Sequence, residues 1–148
     1  MSPAYIRLQK GYIMANKRDK YVYENYVCPK CFNKLPNCTC PGSMPPYQIL
    51  WIDEKIQDHV RILNEKGYMT EFSCESHSPK GTTHIMFYGG VNPSKDIPLP
   101  EGFMWHDKYN KFYAEYDKKM SMEDYQLKKE QNLKNLLEWC NVLPNKND

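Results

Sequence analysis

Four of the six cysteines lie between positions 28 and 40, as Cys28-Pro29-Lys30-Cys31 followed by Cys38-Thr39-Cys40. Nothing else in the chain constrains its folding as tightly. A C-x-x-C pair makes a tight turn whose intervening backbone N–H groups face the sulfurs, and two such pairs bring four thiolates to the corners of a tetrahedron. Zinc is the ion such a set selects, and full thiolate coordination makes the site structural, because a catalytic zinc keeps one position open for water. The gap between the pairs contains Pro36, and the C-x-C pair needs a sharper turn at Thr39. The expected ligands are therefore Cys28, Cys31, Cys38 and Cys40, binding Zn2+.

The chain has 148 residues, of which 41% are hydrophobic and 26% charged, enough for one domain with its own core. The 14% aromatic content is led by twelve tyrosines, which predicts a core with phenol hydroxyls at its margin. No apolar run approaches the ~20 residues a bilayer span needs, and the first residues lack a signal-peptide core. A cytoplasmic protein without membrane association is expected. In a reducing compartment its cysteines read as metal ligands and buried thiols rather than disulfides.

Net charge is only +2, too little to imply a polyanionic partner. Its distribution is uneven. Residues 1–34 carry seven basic side chains against Asp19 and Glu24, and such a leading segment suits phosphate as readily as it makes a solvated, lysine-rich edge.

The pattern along the chain predicts short strands within residues 4–26, then the cysteine loop, then a turn-rich connector around Pro41, Gly42, Pro45 and Pro46. Residues 50–66 read as an amphipathic helix with Ile52, Ile56, Val60 and Leu63 on one stripe, stopped at Gly67. Two strands follow, Tyr68–Cys74 with Tyr68, Thr70, Phe72 and Cys74 on one face, and Thr82–Tyr88, joined by the loop Glu75–Gly81. A second hairpin, 102–106 and 111–116, turns at Asp107–Asn110. A final helix capped by Ser121 carries Leu133, Leu136, Leu137 and Cys140 and ends before Pro144. The expected fold is α+β, a mainly antiparallel sheet with two helices on one face plus an N-terminal zinc-binding loop. Its expected parts are a strand segment and zinc loop (1–45), an α+β core (46–144) and a mobile tail (145–148).

A second constellation is Cys74-Glu75-Ser76-His77, with C-x-x-H spacing at a strand end. It admits three readings. Cys74 and His77 complete a metal site with Cys28 and Cys31, they form a nucleophile and base, or they are a half-buried thiol beside a loop histidine. No orienting third group or oxyanion-hole signature accompanies them, and no glycine-rich phosphate loop or paired carboxylates occur elsewhere, which weakens an enzymatic reading. The same loop continues into Lys80, Thr82 and His84, a basic rim of donors suited to phosphate or carboxylate, and equally an ordinary surface loop. Trp105 and His106, with Tyr109, Tyr113 and Tyr116 nearby, extend it as an aromatic platform for a stacked base, although aromatics at strand spacing also build cores.

The run Leu63–His77, which contains Gly67-Tyr68-Met69-Thr70-Glu71-Phe72-Ser73-Cys74-Glu75-Ser76-His77, together with Thr83–Phe87 and Leu99–Phe103, resembles a family of small Firmicute phage and prophage proteins. Their shared cue is G-Y-x-T-x-[FY]-S-C-x-G-H, often behind a C-x-x-C loop. Ser76 stands where that cue carries glycine. The resemblance implies a phage accessory protein that binds a host factor, inhibiting a host defence by docking on a protein or by sequestering a nucleotide-like ligand. The expected binding residues are Cys74, His77, Lys80, Thr82, His84, Trp105 and His106. Nucleic-acid binding through the basic first third and the zinc loop is the alternative, and a Cys74-dependent enzyme a third.

Overall fold

Strict alternation across Thr83–Phe87, with Thr83, Ile85 and Phe87 buried and His84 and Met86 half-buried, sets the sidedness of the sheet. The computed structural model describes residues 26–28, 30–34 and 50–146. The chain divides into two compact units, Met1–Gln57 and Asp58–Asp148.

In the first unit, β1 (Tyr26–Val27) pairs antiparallel with β2 (Leu50–Trp51), and the Tyr26 and Trp51 rings meet edge to face at 5.1 Å. Leu50 and Trp51 are therefore strand, where the amphipathic pattern predicted helix. The helical turn begins only at Glu54, as a 3-10 segment Glu54–Ile56 running into α1 (Gln57–Glu65). Asp53, with an extended ψ of 138°, separates the two conformations. The expected stripe is present, since Ile52, Ile56, Val60 and Leu63 are all buried. At Gly67, φ is +96°, and Tyr68 N–H bonds to Leu63 O while Gly67 N–H bonds to Asn64 O, the paired closure of a Schellman motif.

The second unit carries a four-stranded antiparallel sheet in the order β3 (Thr70–Cys74), β4 (Thr83–Phe87), β6 (Lys111–Ala114), β5 (Met104–Trp105). A register irregularity between Thr70 and Phe72 breaks the alternation of β3. Thr70 then pairs with buried Phe87, whereas Phe72 and Cys74 pair with Met86 and His84. The single face expected for Tyr68, Thr70, Phe72 and Cys74 is thus split by a bulge, which puts Phe72 and Cys74 on the side away from the core.

α2 (Met122–Val142) starts where predicted, the Ser121 hydroxyl accepting from Asp124 N–H at 3.1 Å. Its buried residues include Leu133, Leu136 and Cys140, and Trp139 meets Phe112 edge to face at 5.4 Å. α1 reaches the same side of the sheet through Asn64, which donates to the Thr70 hydroxyl at 2.9 Å. The helices are joined by His59, whose Nε2–H donates to Leu133 O at 2.7 Å. The molecule is an α+β fold with an antiparallel sheet and two helices, as its pattern predicted. Among the described residues, no helix is long and apolar enough to cross a membrane.

Candidate functional site

The turn after β3 is held more firmly than a hairpin loop requires. Ser76 adopts φ of +80°, a left-handed conformation that costs a non-glycine residue about 1–2 kcal/mol. Ser76 thus takes the backbone form that glycine takes most readily, and it is fully buried. Its hydroxyl is bonded to Tyr125 OH at 2.8 Å and donates to Ser78 O at 3.1 Å. Its carbonyl accepts from Lys129 Nζ at 2.6 Å, and the same ammonium pairs with Glu75 Oε2 at 2.7 Å. The Glu75 carbonyl accepts from the Thr83 hydroxyl, which also bonds Tyr116 OH, itself an acceptor from Asn132 Nδ2.

Lys129 is only 5% exposed, so this is a buried ion pair whose ammonium also donates to a backbone carbonyl. The polar network extends from α2 through Tyr125, Lys129 and Asn132, and it ends at two residues, Glu75 and Ser76. Cys74 and His77 flank those two residues. Cys74 Sγ accepts from Ser76 N–H at 3.4 Å and is half-buried, whereas His77 is exposed.

The cysteine turn of the first unit uses a related device. Lys30 N–H donates to Cys28 Sγ at 3.3 Å, Phe32 N–H to Cys28 O at 2.8 Å and Cys28 N–H to Asn33 O at 3.0 Å. Phe32 is left-handed, with φ of +59°. A backbone N–H directed at sulfur is the kind of contact that a C-x-x-C metal turn uses. Cys38 and Cys40 lie outside the described residues.

The outward face of the sheet collects several of the remaining predicted residues. Register pairs Cys74 with His84, His84 with Tyr113, and Tyr113 with Met104, a row running across all four strands. The next row is Phe72, Met86 and Lys111. Phe72 and Met104 are 60% and 52% exposed. Thr82 Oγ1 is 2.9 Å from His84 Nδ1, and the His106 ring lies 6.0 Å from that of Tyr113 and 4.8 Å from that of Tyr109. Lys111 Nζ sits about 6 Å from the Tyr109 and Tyr113 rings.

His106 Nδ1 accepts from the N–H groups of Lys108 and Tyr109 at 3.0 and 3.2 Å. The Asp107 carboxylate lies 3.3 Å from the same nitrogen. Lys80 is exposed in the turn that follows His77. Trp105 is the exception among the predicted platform residues: it pairs with Phe112, and its ring contacts Phe87 and Phe112 on the core side. Strand alternation, which turned Met104 outward, turned its neighbour in.

Lys129, Tyr125 and Glu75 were not singled out by the sequence. A signal for Lys129 was present, since it falls on the stripe of α2 shared by Tyr125, Asn132, Leu133 and Leu136, where a lysine requires a buried partner. Cys140 is a core thiol as expected, and burial pushes its pKa up to about 12 against a smaller opposing effect of Lys66. Compared with protein-family models, curated proteins and solved structures, the chain matches none.

Proposed function

We propose that this protein is a zinc-stabilised binding module that uses the outward face of its sheet to hold a nucleotide-like ligand. The observation that carries this reading is the aromatic and cationic set gathered on the side of the sheet away from the core: His84, Tyr113, His106, Tyr109 and Lys111, bordered by exposed Phe72. Flat rings of this kind accept a base by stacking, at about 1–3 kcal/mol per base, and the lysine and histidine donors suit its phosphate. Helix α2 packs on the other face, where Trp139 meets Phe112. The resemblance to phage accessory proteins supports a ligand of host origin, whose capture would blunt a defence signal. Zinc, held in part by the Cys28–Cys31 turn, has a structural role in this reading.

Calorimetric titration of the zinc-loaded protein with mononucleotides and with a short single-stranded oligonucleotide tests the proposal. Micromolar binding of a mononucleotide, lost in the Tyr113→Ala and His84→Ala variants while thermal unfolding is unchanged, is the expected result. Binding only to the oligonucleotide, with a steep loss of affinity as salt rises, would instead favour nucleic-acid binding through phosphate contacts. Heat signals that neither variant alters, or no binding at all, would end the proposal.

A further inference from the structure

The turn at Glu75–Ser76 receives a buried lysine, two tyrosine-linked hydroxyls and a strained backbone, although a surface hairpin needs none of these. Strain and buried polar bonds concentrated at one turn are what a preorganised ligand set demands. We propose that Cys74 and His77 are two ligands of a zinc ion, presented by a turn that α2 holds in place through Tyr125 and Lys129.

Three observations carry this. The spacing is C-x-x-H, and a thiolate with an imidazole is a donor pair that zinc takes in tetrahedral structural sites. Ser76 N–H points at Cys74 Sγ at 3.4 Å, a bond to sulfur of the kind that also marks the Cys28–Cys31 turn, where Lys30 N–H does the same at 3.3 Å. Such bonds disperse the charge of a metal-bound thiolate and orient it. Finally, the backbone between the two ligands is tied at both residues: Glu75 O to Thr83, and Ser76 O to Lys129.

Tyr125 and Lys129 are positioning residues in this scheme, touching Ser76 and Glu75 but not the metal. Binding deprotonates Cys74, whose proton leaves to solvent, so affinity rises with pH while the thiol is protonated. Cys74 Sγ and a His77 ring nitrogen lie within 4.8 Å of each other, close enough to share one ion, and two further ligands complete its tetrahedron. The inference does not depend on the nucleotide-like ligand.

Zinc content by native mass spectrometry and the visible and near-ultraviolet spectrum of the cobalt-substituted full chain provide the test. Cys74→Ser should weaken metal binding and remove part of the thiolate-to-cobalt charge-transfer absorbance. His77→Cys should retain zinc and gain charge-transfer intensity, because it exchanges an imidazole for a thiolate. That gain has no counterpart if His77 merely sits in a loop, and it remains readable should Cys74→Ser fail to fold. Tyr125→Phe, which leaves every ligand in place, should lower zinc affinity by about 10- to 100-fold, as loss of an outer orienting contact does. Wild-type cobalt spectra and zinc content in both Cys74→Ser and His77→Cys would overturn the assignment.

Discussion

Ser76 concentrates several forces in one residue. It is fully buried, left-handed, and bonded through its hydroxyl to Tyr125 and Ser78. Ser76→Ala removes those bonds but keeps the positive φ, and leaving the Tyr125 hydroxyl unpaired at its buried end should cost about 1–3 kcal/mol. Ser76→Gly loses the same bonds and relieves the left-handed penalty, so it should be the milder change by roughly 1 kcal/mol. Urea unfolding midpoints of the two variants decide this, and an alanine variant as stable as the glycine one would contradict it. Serine here thus meets a backbone requirement that glycine meets at lower cost. Cysteine and histidine at C-x-x-H spacing were legible in the sequence. The partner side chains that hold the turn were not, because Tyr125 and Lys129 lie some fifty positions further along the chain and meet it only after folding.

Among the elements, α2 shows how a helix end is completed by a distant side chain. Its last turn contains no basic residue of its own. Lys66, just past α1, directs its ammonium at the Cys140, Asn141 and Leu143 carbonyls at 2.9, 2.8 and 2.6 Å. A cation there answers both the unsatisfied carbonyls and the negative end of the helix dipole. Lys66→Met keeps the aliphatic stem and removes the charge, which should lower stability by about 1–2 kcal/mol. The same variant should speed amide exchange in the last turn of α2, and unchanged exchange there would count against the cap. The start of α2 and the stop of α1 could be read in advance from Ser121 and Gly67, because caps act within a few residues. The start of α1 could not. Leu50 and Trp51 open the run that reads as an amphipathic helix, and only pairing with Tyr26 and Val27 made them strand.

For the molecule as a whole, the decisive property is the sidedness of the four-stranded sheet. Phe112 is fully buried and ringed by Phe87, Phe103, Trp105 and Trp139, so Phe112→Ala should cost about 3–5 kcal/mol. Phe72, 60% exposed on the opposite face, should tolerate serine to within about 0.5 kcal/mol. Thermal unfolding of the two variants checks the contrast, and a large loss at Phe72 would mean that its face is covered. Local pattern by itself determined the α+β class and the element order from α1 onward, because periodicity and caps are short-range properties. Only the tertiary structure decided which face each β3 residue takes, since a one-residue bulge reverses the alternation beyond it. It also decided that Trp105 joins the core while His84, Tyr113 and His106 gather outside, and that a lysine on α2 holds the turn between Cys74 and His77. Those outcomes depend on register and on contacts between segments far apart in sequence: the α2 stripe marks Lys129 as buried, but not the turn it meets.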